Sequence, residues 1–147
     1  MDRSKIDYGL IQTSDLPEFI NLLKKVDLTE KDLSKYFDTT VVARSGGEVV
    51  GGAALELYDD SALLRSVAVR PNQQGKGIGH GLVDSAINLA NEYHVHTLYL
   101  LTETASEFFP KFGFHRVDRS KIPAKVKTSI EFTEICPESA IAMVLKL

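Results

Sequence analysis

The residues best suited to chemistry form a glycine-rich run that follows an apolar strand. We call this run the glycine loop; it consists of Gln74-Gly75-Lys76-Gly77-Ile78-Gly79-His80-Gly81. It is preceded by the apolar segment Val67-Ala68-Val69 and by Pro71. An apolar pattern of helical spacing begins at Leu82. Glycine can adopt positive φ and lets a ligand approach the backbone closely, and the first N–H groups of a helix lack intrahelical partners. This order of elements predicts a cradle for a phosphate group.

The spacing of the glycines distinguishes between kinds of phosphate loop. A dinucleotide fingerprint, G-x-G-x-x-G, would need its third glycine at the position of His80. A Walker loop would need Ser or Thr after Lys76, where Gly77 stands. What fits is Gln-x-x-Gly-x-Gly after Val-Ala-Val-x-Pro, and this combination closely resembles the coenzyme A loop of the GNAT family of N-acetyltransferases. A glycine-rich turn without a ligand is the competing interpretation.

The resemblance is strongest from Leu63 to Phe114. Its second marker is Ala105-Ser106-Glu107-Phe108-Phe109-Pro110-Lys111-Phe112-Gly113-Phe114, which is similar to the family's Ala-x-x-Phe-Tyr-x-x-x-Gly-Phe. The resemblance implies an α+β fold with a central mixed, mostly antiparallel β-sheet flanked by helices. Because no repeat, low-complexity run or linker interrupts the sequence, we expect a single domain over residues 1–147.

Hydrophobic periodicity predicts elements in the order of that fold. The predicted strands are 7–12, 39–44, 48–57, 62–69, 97–102, 114–117 and 139–147. The predicted helices are 16–26, 31–37, 82–93, 105–112 and 123–132. Ser45-Gly46-Gly47 predicts a hairpin turn, and Gly51-Gly52 inside a strand indicates a bulge or a close backbone approach.

The resemblance implies acetyl-CoA as the cofactor. The loop amides would hold its pyrophosphate, aided by the charge of Lys76. A backbone N–H at the strand end Val67–Val69, freed by a bulge, would polarise the thioester oxygen. Thr104 and Phe108 would lie near the pantetheine arm. The implied cofactor-binding residues are Val67, Ala68, Val69, Gln74, Gly75, Lys76, Gly77, Ile78, Gly79, His80, Thr104 and Phe108.

The candidate catalytic residues are two glutamates. An amine is mostly protonated at pH 7, so an N-acetyltransferase needs a proton acceptor. Glu103 and Glu56 are the acidic residues nearest the expected site, and the alternative for either is a solvated carboxylate. Most family members have tyrosine at the position of Phe109, where it protonates the departing thiolate. Phe109 has no proton to give, so that role is unfilled or passes to solvent.

The candidate acceptor-binding residues are basic or polar. Arg65 interrupts an apolar strand, where a charge needs a partner if it is buried. It either anchors an acceptor carboxylate or has a structural role, on an exposed face or in a salt bridge. The segments Lys125-x-Lys127-x-Ser129 and Cys136-Pro137-Glu138-Ser139-Ala140 resemble small acetyltransferases associated with arsenic resistance and, more distantly, N-acetylglutamate synthases. That resemblance adds Lys127 and Ser129 to the candidates.

Composition narrows the expected partners and location. The net charge of -3 argues against nucleic-acid binding, and no window reaches the roughly 18 apolar residues of a membrane span. The charged start Met1-Asp2-Arg3 lacks the apolar stretch of a secretory signal, and the single Cys136 is typical of a reducing compartment. We therefore expect a cytoplasmic protein. The 4 histidines show no metal-ligand spacing, so no metal site is expected.

Together, the residues and the resemblance predict acetyl transfer from acetyl-CoA to the amine of a small, anionic, amino-acid-like acceptor, by a monomer or a homodimer. Two alternatives remain. One is a CoA-binding regulatory or catalytically weak module, which Phe109 favours. The other is a protein N-acetyltransferase, which would need an open, acidic peptide groove.

Overall fold

The structure of the chain is a computed structural model that describes residues 5–28, 31, 33–102, 105–129 and 140–147. Within these ranges, seven strands form one sheet in the order β1-β2-β3-β4-β5-β7-β6. The strands are β1 (Asp7–Leu10), β2 (Thr40–Ser45), β3 (Glu48–Tyr58), β4 (Ser61–Val69), β5 (Thr97–Thr102), β6 (His115–Arg116) and β7 (Ile141–Lys146). The α-helices in these ranges are α1 (Leu16–Lys25), α2 (Ile78–Glu92) and α3 (Ala124–Lys127).

The sheet is mixed. Strands β4 and β5 run parallel, whereas the pairs β1–β2, β2–β3, β5–β7 and β6–β7 are antiparallel. A parallel pair needs a long connection, and the chain between β4 and β5 contains α2. The β5–β7 register runs from Thr97 opposite Lys146 to Thr102 opposite Ile141. This arrangement confirms the predicted α+β class with a mixed, mostly antiparallel sheet.

The chain forms two compact units. The first comprises Met1–Leu55 and Ser66–Leu89. Its helix α1 places Phe19, Leu22 and Leu23 at positions i, i+3 and i+4, and all three side chains are buried. The core that they join also contains Ile11, Leu33, Tyr36, Val42, Val49, Ala54 and Ala68. Since burying one large apolar side chain stabilises a fold by about 1.5–3 kcal/mol, this core holds the first unit together.

A β-bulge interrupts the pairing of β2 with β3 in the first unit. Ala43 lies opposite Gly51, whereas the next residue, Arg44, lies opposite Val49. Val50 is therefore the extra residue of the bulge. The bulge that the glycine pair predicts is present, one residue before Gly51.

Both glycines of β3 also admit close neighbours. A Cβ on Gly51 would lie 2.8 Å from Cδ1 of Leu82 and 2.9 Å from the main-chain oxygen of Ala68. A Cβ on Gly52 would overlap the ring of Phe19. These approaches are closer than side chains tolerate, so both positions require glycine. The predicted close approach is confirmed.

The second unit comprises Glu56–Arg65 and Ala90–Leu147. Its core contains Leu63, Tyr99, Ile122, Val126, Ala142 and Val144. A short 3-10 helix, Phe109–Phe112, ends at Gly113, whose φ of +101° is left-handed. Gly113 therefore caps this helix, because the left-handed conformation costs glycine least.

Two predicted helices are observed as 3-10 segments, and the helix predicted over 82–93 begins earlier, at Ile78. The prediction over 31–37 corresponds to a 3-10 segment, Leu33–Thr39, that bends midway. The prediction over 105–112 corresponds only to the 3-10 helix Phe109–Phe112. Pro110 lies inside that helix and has no N–H, which limits its length.

The last predicted helix, 123–132, is observed as the single turn of α3, and its part beyond residue 129 lies outside the described residues. Strand β5 has the predicted bounds, and β4 begins one residue earlier than predicted, at Ser61. The single domain over residues 1–147 stays a prediction.

Candidate active site

The glycine loop is exposed, and its backbone is left-handed at two positions. Gly75 has a φ of +83° and Gly77 a φ of +82°, and a Cβ at either position would meet nothing within 4 Å. The loop follows a 3-10 turn, Pro71–Gln73, that continues directly from β4. Alternating right- and left-handed residues turn successive N–H groups into a concave anion site. The loop is therefore an exposed turn with open space beside the Cα atoms of both left-handed glycines.

Helix α2 begins directly after the second left-handed glycine. The N–H of Gly81 donates to the carbonyl of Gly77 at 3.1 Å, so the amides of Ile78, Gly79 and His80 precede the intrahelical ladder. Ile78 is 2% exposed and fixes the start of the helix in the core. These residues fit a pyrophosphate, because they place helix-start amides and the Lys76 ammonium around one exposed turn.

Strand β4 carries a left-handed residue just before the predicted thioester-contacting segment. Ser66 has a φ of +58°, which is uncommon for a residue with a side chain inside a strand. Ala68 is buried, whereas Val67 and Val69 are half-buried. The side-chain amide of Gln74 donates to the carbonyl of Val69 at 3.2 Å and joins this strand end to the glycine loop. The backbone therefore departs from regular strand geometry where a free N–H is predicted.

In the second unit, four side chains form a buried polar group, the Glu56 cluster: Glu56, Tyr58, Arg65 and Ser129. Nη1 of Arg65 donates to Oε2 of Glu56 at 2.6 Å, and Oγ of Ser129 donates to the same oxygen at 2.9 Å. The Tyr58 hydroxyl donates to Oε1 of Glu56 at 2.5 Å. The Arg65 side chain is 1% exposed and that of Glu56 is 12% exposed. Arg65 therefore forms the salt bridge that is one of its two predicted alternatives.

The alternation of side chains along a strand places Glu56 and Tyr58 together. They are two residues apart on β3, so they point to the same face. Burial, followed by the hydrogen bond to Glu56, raises the pKa of Tyr58 well above its ordinary value. A carboxylate has about four lone-pair positions, and the described donors occupy three of those on Glu56. Tyr58 is not among the residues predicted for the site, although its spacing from Glu56 is a usable signal.

The other predicted residues lie elsewhere in the second unit or outside the described ranges. Lys127 is half-buried on α3, two residues before Ser129. Phe108 packs edge to face on Phe109 and Phe112, with ring centroids 5.2 Å and 5.3 Å away. Glu103 and Thr104 lie outside the described residues.

Phe109 is only 6% exposed, so the hydroxyl that most family members carry at this position is replaced here by a packed apolar ring. Within the described part of the chain, no group of three or more His, Cys, Asp or Glu side chains could hold a metal ion. Nor do the helices described here include one that is long and apolar enough to cross a membrane.

Comparison with known proteins tests the family and the fold. A family model described as an acetyltransferase (GNAT) domain matches residues 37–116. The amino-acid acetyltransferase of Mycobacterium tuberculosis (strain ATCC 25618 / H37Rv) is 36% identical over 91 residues, which cover 61% of this chain and 49% of that protein. The chain therefore spans about half the length of this relative.

Solved structures show the same fold. The structure of Rv2747 from Mycobacterium tuberculosis, in complex with CoA and NLQ, matches with a TM-score of 0.82 and 26% identity, covering 96% of this chain and 99% of that chain. N-acetylglutamate synthase from Neisseria gonorrhoeae, complexed with coenzyme A and N-acetyl-glutamate, matches with a TM-score of 0.85 and 18% identity, covering 97% of this chain and 35% of that chain. The predicted fold and cofactor are confirmed. Because the family model covers more than half of its residues, the chain belongs to the GNAT family of acetyl-CoA-dependent N-acetyltransferases.

Proposed function

We propose that this protein transfers the acetyl group of acetyl-CoA directly to the amine of a small, carboxylate-bearing, amino-acid-like acceptor. The observation that carries the acceptor class is the buried pair of Arg65 and Glu56 in the second unit. An amino acid carries an ammonium and a carboxylate, and this pair offers one charge opposite to each of them.

The cofactor half of the proposal assigns the pyrophosphate to the glycine loop. The left-handed glycines Gly75 and Gly77 and the helix-start amides support this assignment, because they form an exposed turn rich in N–H donors. Acetyl-CoA supplies the acetyl group as a thioester. The left-handed Ser66 supports the assignment of a strand-end N–H at Val67–Val69 to the thioester oxygen.

The acceptor half assigns Arg65 to the carboxylate and Glu56 to the amine. The guanidinium of Arg65 is planar and matches the geometry of a carboxylate, which it can bind through two parallel N–H donors. Glu56 is the more exposed partner, so the amine would meet its carboxylate first. There the carboxylate can take the proton that the amine loses as its nitrogen bonds to the acetyl carbon. Ser129 and Lys127 would complete the acceptor site from α3 and its end, and Glu103 remains the second candidate base.

Phe109 stands where most family members carry the tyrosine that protonates the leaving thiolate. The buried ring of Phe109 cannot protonate a thiolate, so its proton would come from solvent. A thiol with a pKa of about 8.5 is a tolerable leaving group without an acid, so this loss slows transfer without preventing it. The same feature supports the second candidate function, a CoA-binding module with weak catalysis.

Free thiol released from acetyl-CoA, measured across a panel of amines, tests the proposal. The panel pairs free glutamate, glutamine and aspartate with their methyl esters, which keep the amine and lose the carboxylates, and adds a short peptide with a free N-terminus. We expect thiol release with a free amino acid and at least about tenfold less release with its ester. The pair between the acceptor carboxylate and Arg65 would contribute a binding free energy of that size. Equal rates would contradict the carboxylate requirement. Calorimetric CoA binding without release for any amine would establish the binding module instead, and release with the peptide alone would establish a protein acetyltransferase.

The variant Arg65→Lys tests the acceptor anchor without removing the charge that neutralises Glu56. We expect the KM for the acceptor to rise about tenfold and the KM for acetyl-CoA to stay constant, because lysine cannot reproduce the planar guanidinium fork. An unchanged acceptor KM would leave Arg65 with a structural role only.

The same proposal includes location and assembly. We expect a cytoplasmic protein, active as a monomer or a homodimer, that binds neither nucleic acid nor membrane. The net charge of -3 and the single cysteine support this expectation.

A further inference from the structure

Two neighbouring residues at the bulge in β3, Val49 and Val50, have backbone groups that bond to residues outside β2. Val49 and Val50 are both buried, so their polar backbone atoms need partners. The N–H of Val49 donates to Oε2 of Glu18 on α1 at 3.1 Å. The carbonyls of Val49 and Val50 accept from Arg70, which stands one residue beyond the end of β4.

Arg70 binds the two carbonyls with different parts of the residue. Its main-chain N–H donates to the carbonyl of Val50 at 2.7 Å, and Nη2 donates to the carbonyl of Val49 at 2.9 Å. Nη1 lies 3.2 Å from a carboxylate oxygen of Glu48. The guanidinium therefore fixes both the position and the direction of the chain where it leaves the sheet.

Arg70 is also the first residue of the connection into the glycine loop. Its carbonyl accepts from the N–H of Gln73 at 2.8 Å and closes the 3-10 turn. Pro71, the next residue, has a φ fixed by its ring. Little rotational freedom remains between the bulge and the turn, so an orientation set at Arg70 passes on to the glycine loop.

We propose that Arg70 is a positioning residue for coenzyme A: it ties the entrance of the glycine loop to the bulge in β3 and so presets the loop for binding. This inference rests on the proposed assignment of the pyrophosphate to that loop. Direct attraction between Arg70 and phosphate is the weaker explanation, because Glu48 at 3.2 Å and Glu18 at 3.9 Å already offset the guanidinium charge.

The test compares Arg70→Ala and Arg70→Lys with a matched variant, Arg44→Ala. Arg44 belongs to the same unit and pairs with Asp15 through its guanidinium, but it has no described contact with the loop. The readouts are the Kd for CoA by calorimetry at two salt concentrations, kcat and both KM values, and the thermal midpoint.

For Arg70→Ala, we expect the Kd for CoA and the KM for acetyl-CoA to rise about tenfold at both salt concentrations. The values of kcat and of the acceptor KM should stay within about twofold of those of the unaltered protein. This pattern is expected when a binding loop loses its preorganisation. Arg70→Lys keeps the charge, but its single ammonium cannot reproduce both guanidinium contacts, to the carbonyl of Val49 and to Glu48, so it should fall between Arg70→Ala and the unaltered protein. Arg44→Ala should lower the thermal midpoint at least as much and leave the Kd for CoA unchanged.

An unchanged Kd in Arg70→Ala, or an equal rise in Arg44→Ala, would overturn the positioning role. The positioning role would also be overturned if Arg70→Lys bound CoA as tightly as the unaltered protein and the loss of affinity in Arg70→Ala disappeared at high salt. The charge of Arg70 alone would then explain the affinity for CoA. The variant Gly77→Ala separates this inference from the function on which it rests. If that variant binds CoA normally, the assignment of the loop itself fails, whatever the Arg70 variants show.

Discussion

The glycine loop offers main-chain groups at the surface, whereas the Glu56 cluster assembles side chains in the interior. The loop is eight consecutive residues whose geometry depends on left-handed glycines such as Gly75 and Gly77. The cluster joins Glu56 to Ser129, 73 positions apart in the sequence, and its arginine is 1% exposed. One region depends on local backbone conformation and the other on the compensation of buried charge.

This difference predicts opposite sensitivities to substitution. Variants at Gly75 and Gly77 should change CoA affinity more than they change global stability, because no atom lies within 4 Å of the place where their Cβ would stand. Cluster variants should change stability first, because a buried ion that loses its partner keeps its full desolvation cost. Variants in both regions test this contrast, beginning with the largest expected effect.

The largest effect is expected for Glu56→Gln. The glutamine keeps the shape of the side chain and removes the charge that compensates Arg65. We expect the free energy of unfolding in urea to fall by about 3 kcal/mol, the lower end of the cost of breaking a buried ion pair. The Kd for CoA measured on the folded fraction should stay constant.

The paired variant Glu56→Leu with Arg65→Met is the control. Replacing both charges with apolar groups of similar size should restore most of the lost stability and abolish acceptor turnover. If Glu56→Gln costs less than about 1 kcal/mol, as exposed pairs do, the cluster does not depend on charge compensation.

The next effect concerns the loop and uses two matched glycines. Gly77 (φ +82°) and Gly47 (φ +85°) have nearly the same φ, and a Cβ added at either would have no neighbouring atom within 4 Å. Alanine at either position should therefore cost about 1 kcal/mol of stability. Only Gly77→Ala should also weaken CoA binding, by about tenfold or 1.4 kcal/mol in calorimetry. Equal losses of affinity in both variants would show that the effect is not local to the loop.

A smaller effect is expected for Tyr58→Phe, which deletes one donor to Glu56 and leaves the ring in place. Urea unfolding should show a loss of about 1 kcal/mol, the usual net value of such a hydrogen bond. If Glu56 is the base, kcat should also fall, because the carboxylate loses a bond that holds it in place. An unchanged kcat would argue against Glu56 as the base.

The smallest effect concerns acid stability in the first unit. A hydrogen bond from Arg44 is the main reason why the pKa of Asp15 lies below its ordinary value. The folded state therefore binds this proton less readily than the unfolded state. The resulting stability is complete above the unfolded pKa of about 3.9, and it is lost as pH falls through the lower folded pKa. Asp15→Asn should remove about 0.5–1 kcal/mol at pH 7 and flatten the loss of stability below pH 4.

The sequence predicted the fold better than it predicted the cluster. Strand β5 has its predicted bounds because a short apolar run between polar residues leaves few alternatives. The helix predicted over 105–112 was wrong in its first half, because Pro110 and the packing of Phe109 favour a short 3-10 turn. The sequence marks Arg65 as a charge in an apolar strand, but it leaves the burial and the role of Arg65 open, because its partner Glu56 lies on another strand. The sequence does not predict that Tyr58 belongs to the cluster, since a tyrosine at the end of a strand gives no sign of its partners.

The sequence by itself determined the family and the cofactor. The segment that specifies them is contiguous, and left-handed glycines followed by a helix start set its backbone locally. Tertiary structure alone decided which side chains surround Glu56 and how deeply Arg65 is buried. Those properties depend on the pairing of strands and on the return of a distant segment, and burial determines what a charge costs. The cofactor is therefore evident from a single stretch of residues, whereas the acceptor depends on contacts that only the folded chain makes.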